Sequence, residues 1–324
     1  MNKLPRIWDI PILLFLSLIW ASSFTMIKIA VPELGPIGIV FVRCFIGAVV
    51  MLMLVLVAGR RSQEVSSWPT TWRQWVMLSV VGVISTAVPF YMISFAEQKI
   101  SSSMTAILMT TGPLAVIILG HFFTDDEKIN RGKVIGITIG FAAALYLLRG
   151  GLSGFDQVGG IGSGGMSILY PLAAMGAAVC YAIGGLLAKK MVMVSAEVIA
   201  FYVLAISAVA VAPFYLTGDS PPLTEVSYST LWAVIWLGVM PSGFAFYLRY
   251  FLIKRNGYGF VSYVGYLIPL FTIGIGMIIL DEHVTADTFM AMMVILLGLI
   301  VTRSDQDFPW TAHPRLERFR KTLN

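Results

Sequence analysis

The stretch "GVISTAVPFYMISFA", residues 82–96, returns 156 residues later as "GVMPSGFAFYLRYFL", residues 238–252. Across the wider windows 82–120 and 238–276, nine positions are identical at this offset. They include Gly82/Gly238, Phe90/Phe246, Tyr91/Tyr247, Phe95/Phe251, Pro113/Pro269 and Gly120/Gly276. Apolar segments often coincide by chance, but rarely at glycine, proline and tyrosine in one register. A weaker match, at an offset of 161, sets "WASSFTMIK" (Trp20 to Lys28) against "YAIGGLLAK" (Tyr181 to Lys189). The chain therefore reads as one unit written twice.

Composition says where that unit sits. The 324 residues are 58% hydrophobic and only 12% charged, with a mean hydropathy of +0.85; a soluble domain is about 25% charged. A helix rising about 1.5 Å per residue needs roughly 20 apolar residues to cross about 30 Å of hydrocarbon. Ten runs qualify: 10–27, 37–58, 76–96, 104–123, 134–148, 166–188, 198–217, 230–248, 258–280 and 284–302. The fifth, "VIGITIGFAAALYLL", is short, so its ends are the least fixed. The alternating ten-residue segments of a transmembrane barrel are absent.

With five runs per copy, an odd number, the second copy enters the membrane from the opposite side. The predicted fold is an all-α integral membrane protein of ten transmembrane helices, arranged as two inverted five-helix repeats. The repeats cover 8–149 and 166–303, with a Gly-rich linker at 150–165 and a basic tail at 304–324. Such repeats let a carrier expose one site to either side in turn. The linker region, "RGGLSGFDQVGGIGSGG" (149–165), contains Gly160, Gly162 and Gly165 in dinucleotide-site spacing. It lacks the strand, the helix and the acidic residue that this chemistry needs, so it reads as a connector.

The net charge of +5 resolves once the cations are sorted by side. Seventeen of the 22 Lys and Arg fall on the side of the N-terminus. Lys28, Lys99 and Arg149 fall on the other, and Arg43 and Arg249 lie within spans. This bias places both termini in the cytoplasm of a multi-pass protein of the cell membrane, and it removes the case for nucleic acid. Lys3 and Arg6 before an apolar run look like a signal peptide, but no small-residue cleavage site follows, so a retained first span is expected. Cys44 and Cys180 lie inside apolar runs without metal or redox spacing and read as packing residues. No cofactor or metal is called for.

On these residues the chain resembles the drug/metabolite transporter (DMT) superfamily, in its ten-helix EamA-domain branch. The likeness is carried by "IWASSFTMIK" in the first span and "FVRCF" in the second. It extends through the paired segments that begin "ISSSMTAILMTTGPLAVIILGHFF" and "YGFVSYVGYLIPLFTIGIGMII". It covers about residues 8 to 303. One departure is the acidic element after the fourth span of each repeat, usually Gly-Glu in the family and here "DDE" at 125–127 and "DEH" at 281–283. The resemblance implies a central cavity lined by spans one, three and four with their counterparts six, eight and nine, and export as the commoner direction.

The candidate substrate-binding residues are Trp20, Arg43, Tyr91, Thr110, Tyr247, Arg249, Tyr263 and Tyr266. Arginine inside a span costs about 2.5–3.5 kcal/mol on insertion scales, so Arg43 requires a partner, a polar cavity or a route to the surface. Arg249 sits near a span end beside Lys254 and Arg255, where snorkelling competes with an anion-binding role. The aromatics combine apolar bodies with polar tips, as a pocket for an amphipathic solute requires, or serve as interfacial anchors. Thr110, with Thr111, Ser22 and Ser23, supplies hydroxyls that could bind solute or bond between helices. Pro113 and Pro269 each free a carbonyl within a span.

None of the seventeen acidic residues falls at mid-span, Glu97 and Glu197 being at helix ends. Flux insensitive to a pH gradient is therefore expected. The leading expectation is a secondary carrier exporting a small polar or amphipathic metabolite, an amino acid or related carboxylate, by alternating access. The alternatives are a proton-coupled efflux carrier for drugs or quaternary amines and an intramembrane enzyme on lipid-linked substrates. The chain has no H-E-x-x-H, G-x-S-x-G or Walker lysine, and it is not expected to be an enzyme. Expected partners are the metabolite and the bilayer, with the basic tail on anionic lipid, in a monomer or homodimer.

Overall fold

The structure is a computed structural model and describes residues 8–61, 68–123, 131–154, 168–188, 194, 196–218, 220–256, 258–261 and 263–303. The first element, α1 (Asp9–Arg61), has 53 residues, far more than one crossing needs. Its backbone breaks at Gly35 (φ 68°, ψ 170°), which is followed by Pro36. A residue before proline is pushed out of the helical region, and glycine alone takes a positive φ without penalty. Spans one and two are therefore limbs of one hairpin-like element, and the connection predicted at 28–36 is helical on both sides of a single residue.

The third span joins α2 (Trp72–Gly82), a π-helical segment (Val83–Ala87) and α3 (Val88–Glu97). The fourth is α4 (Ser102–Met109) and α5 (Gly112–Phe123). Thr110 and Thr111 occupy its break, just before Gly112 and Pro113. Span five is α6 (Arg131–Gly154), which runs past the expected end at 148 into the predicted linker; residues 155–165 lie outside the described residues. Spans six and seven are α7 (Leu169–Ala188) and α8 (Ala196–Thr217).

The eighth span repeats the architecture of the third: α9 (Tyr228–Leu237), a second π segment (Gly238–Phe244) and α10 (Ala245–Asn256). Shifted by 156 residues, the first π segment falls inside the second, so the copies share even this irregularity. The ninth span comprises α11 (Tyr258–Val261) and α12 (Val264–Ile279), and the tenth is α13 (Ala286–Arg303). Among the described residues, six helices are long and apolar enough to cross a membrane, the first of them long enough to do so twice, and three shorter apolar helices bring the crossings to ten.

The halves interlock reciprocally. α1 packs on the second π segment and α12, and α7 packs on the first π segment, α3 and α5. The second limb of α1 lies along α8, and α6 along α13. Small residues permit these approaches, as expected where lipid leaves only packing and hydrogen bonds to hold helices together. A Cβ on Gly238 would stand 2.5 Å from Ile46 Cβ and 3.4 Å from the Arg43 carbonyl oxygen. The equivalent Gly82 meets Ile206 and the Val203 backbone of α8. The identity at 82/238 thus marks where each half receives the second span of the other.

Two consequences separate packing glycines from incidental ones. Gly238→Ala should destabilise the protein by about 1–3 kcal/mol through overpacking, read as a lower Tm in detergent. Gly265→Ala, whose added Cβ meets nothing within 4 Å, should stay within about 0.5 kcal/mol.

Candidate functional site

The second π segment is where the polar groups of the interior converge. Pro241 cannot donate a backbone hydrogen bond, and the wider π turn accommodates that defect. The Trp20 indole Nε1–H donates to the Pro241 carbonyl at 3.1 Å. Arg43 Nε donates to Ser242 Oγ at 2.8 Å. Two residues before the segment, Trp236 Nε1–H donates to Ser22 Oγ at 2.9 Å. Thr272 of α12 reaches the Ala21 carbonyl at 3.3 Å. Both limbs of α1 are therefore stitched to spans eight and nine by side chains.

Arg43 is only 5% exposed, so the structure does not snorkel it to the surface. Its guanidinium lies over the Phe90 ring at 3.7 Å, a cation–π contact worth more when desolvated. Among the described residues its one hydrogen bond is to the neutral Ser242, and it forms no ion pair with a carboxylate. Tyr181 and Glu97 are electrostatic neighbours of the guanidinium. Trp20 sits edge-on to Phe246 at 6.3 Å. Trp20/Phe246 and Tyr181/Phe90 are equivalent pairs in the two repeats, and Phe90, Tyr181 and Phe246 belong to one packed cluster.

The remaining candidates are placed differently. Tyr91 and Tyr247 are 41% and 40% exposed; Tyr91 stacks on Phe95 and Tyr247 on Phe244. Tyr263 and Tyr266 lie 6.3 Å apart, and the Tyr266 hydroxyl donates to the Leu299 carbonyl at 3.4 Å. Thr110 Oγ1 donates to the Ile107 carbonyl at 2.5 Å and Thr111 Oγ1 to that of Leu108 at 2.8 Å. These hydroxyls service the break before Pro113. Arg249 is half-buried in α10, and it is Arg255 on that helix that pairs with Asp9, at 3.1 Å. Trp20 and Arg43 thus meet on one segment, whereas the four tyrosines, Thr110 and Arg249 are distributed around it.

A second polar group lies where spans one, three, four and nine end together. Lys28 Nζ donates to the carbonyls of Glu97 and Ile100, each at 2.7 Å. Glu282 accepts from the Ser102 and Ser103 amides at 2.7 and 3.1 Å and from Ser103 Oγ at 2.5 Å. Reciprocally, Glu33 of the first half accepts from the Ser227 amide and hydroxyl, each at 2.7 Å, at the start of α9. Each half thus supplies a carboxylate to a helix N-terminus of the other, where the helix dipole favours negative charge.

Here the sequence reading needs correction. Glu97 does lie at a helix end, and Asp9, expected outside the spans, opens α1, but both are fully buried. Both Glu97 carboxyl oxygens are without a hydrogen-bond partner. The signal available in the sequence was the placement of Lys28, Glu97 and Glu282 at span ends on one face. The acidic element at 125–127 and the basic tail lie outside the described residues.

The EamA-like transporter family model matches residues 7–149 and again 168–304. The chain belongs to this family. Among its relatives, the uncharacterized transporter YoaV of Bacillus subtilis is 20% identical over 88% of this chain and 93% of its own length. The protein PagO of Salmonella typhimurium is 22% identical over 93% and 95%. A solved crystal structure shares the fold with a TM-score of 0.63 at 20% identity, covering 89% of this chain and 94% of its own. Like other EamA-like transporters of the DMT superfamily, the protein is a multi-pass membrane protein with the ten-helix fold.

If the Trp20 indole satisfies the π segment's carbonyl, Trp20→Phe should cost about 1–3 kcal/mol, the desolvation penalty of an orphaned buried acceptor. Tyr91→Phe should cost less than about 0.5 kcal/mol. Thermal unfolding in one detergent compares the two.

Proposed function

We infer that this EamA-like transporter is a secondary carrier of the cytoplasmic membrane for a small carboxylate-bearing metabolite, of which an amino acid is the simplest kind. It works by alternating access with both termini in the cytoplasm. The observation that carries the substrate class is Arg43, a buried guanidinium with a neutral hydrogen-bond acceptor, an aromatic face and no carboxylate counter-ion among the described residues. A buried charge without a counter-ion is costly, and a substrate carboxylate would supply the missing charge with charge-assisted bonds. Trp20, Phe90, Tyr181 and Phe246 around it offer apolar and edge contacts for the remainder of the solute. The reciprocal interlock supports alternating access, since each half presents the same helices to the other and two equivalent packings are available. The excess of Lys and Arg on the side of the termini supports the orientation.

Purified protein in proteoliposomes, offered amino acids, sugars and quaternary amines, should give saturable flux only of carboxylate-bearing solutes. Arg43→Gln should reduce that flux about 10–100-fold, the equivalent of one charge-assisted hydrogen bond. Arg43→Lys, which keeps the charge, should retain part of it. Flux confined to quaternary amines, or unchanged in a folded Arg43→Gln protein, would refute the assignment.

A further inference from the structure

Glu97 is the one carboxyl group among the described residues that is fully buried with both of its oxygens unpartnered. The nearest cation does not pair with it: Lys28 Nζ is held by the backbone carbonyls of Glu97 itself and of Ile100. Glu282, a second carboxylate in the neighbourhood, spends its oxygens on Ser102 and Ser103. The hydroxyls of Ser94 and Ser102 are likewise buried and unpartnered. Ser94 is one turn before Glu97 on α3, and Ser102 opens α4.

We propose that Glu97 is the proton-binding site of this carrier, and that its protonation holds shut the face of the protein on which Lys28 latches to the turn after α3. An ionised carboxylate in a closed interior without a hydrogen bond carries a large desolvation cost, whereas its protonated form does not. When Glu97 is protonated, Lys28 is free to bind the turn carbonyls and tie span one to spans three and four. When Glu97 loses its proton, the carboxylate draws the Lys28 ammonium off those carbonyls, and the latch is released. One proton is taken from water at one face and returned to water at the other, leaving the protein unchanged over the cycle. A metal cation fits this place less well, because the ammonium of Lys28 already supplies the positive charge beside the carboxyl.

The charged groups acting on Glu97 are Lys28 from the first limb of α1, Arg43 from its second limb and Glu282 from the turn after α12. Lys99, in the turn after α3, acts on Lys28. From α7, the titratable Tyr170 reaches α3 by stacking on Phe95 at 4.8 Å, and Tyr181 and Cys180 lie further along that helix. The described part of α4 carries no ionisable side chain. The net influence on Glu97 is thus two cations against one acid, with the cations engaged elsewhere. Because Arg43 is among them, occupancy of the proposed substrate site reaches Glu97 through charge. The inference rests on the carrier reading for its role in transport, although proton binding at Glu97 can be tested without any substrate.

The test uses the full chain in proteoliposomes, with Cys44 and Cys180 replaced by alanine and Thr25, fully buried one turn before Lys28, replaced by cysteine. Labelling of Thr25→Cys by a water-soluble maleimide is followed with Glu97 intact and with Glu97→Gln, which mimics the permanently protonated side chain. The ratio of the two rates cancels the thiol's own titration. From about pH 5 to pH 9 that ratio should climb by up to about tenfold per pH unit until Glu97 is ionised, and then level off. A ratio that stays flat overturns the proposal. If Glu97→Gln does not fold, Glu97→Asp replaces it. Infrared difference spectra should then show a protonated carboxyl band that shifts between Glu97 and Glu97→Asp, and an unshifted spectrum overturns the proposal equally. Carboxylate flux with a flat ratio leaves the carrier standing without this coupling. A pH-dependent ratio without flux of any panel member removes the substrate assignment and leaves the proton site.

Discussion

Hydrocarbon offers no hydrogen bonds, so each backbone group that leaves the α-helical ladder inside a membrane must find a partner in the protein. The π segments of the third and eighth spans are two of the places where this chain departs from the ladder, and the two halves meet there. Trp20 bonds the Pro241 carbonyl and Arg43 bonds Ser242 on the second segment. At the residue that leads into the first, Ser207 of the other half donates to the Gly82 carbonyl at 3.0 Å. Each half therefore satisfies the other's irregular backbone. Separating them would expose polar groups to lipid, whereas exchanging one symmetric arrangement for the other need not.

That constraint accounts for which parts of the fold were legible beforehand. Span number and approximate position follow from apolar length, which the bilayer enforces directly. The identity of Gly82 and Gly238 was visible because close approach of a neighbouring helix leaves only glycine room, and the same approach occurs twice. The π register was not visible, since it depends on how Pro241 is accommodated and no composition signal distinguishes a π turn from a kink. The single-residue break at Gly35 was hidden by the apolar residues on both sides, although the Gly-Pro pair is its cause.

The candidate site was legible in kind and less so in detail. Arg43 and Trp20 stand out in sequence because charge and indole are costly within a span, and the structure brings them to one segment. Glu97 looks like an ordinary helix end, because depth along a span is read from sequence position whereas burial depends on what folds over the end. Lys28 and the turn at 98–101 provide that cover. On the proposed reading, a buried cation and a buried acid are close enough for substrate charge and proton occupancy to influence each other.

The central claim is that the two copies run in opposite directions through the membrane, and residues equivalent by sequence test it most directly. Gln98 and Lys254 are separated by the repeat offset of 156 and end the third and eighth spans. Single cysteines at these positions, treated in intact cells with a membrane-impermeant thiol reagent, should behave oppositely. Cysteine at 98 should label from outside, and cysteine at 254 only after permeabilisation. Labelling of both from the same side would show the repeats to be parallel, and the reciprocal interlock would not survive it.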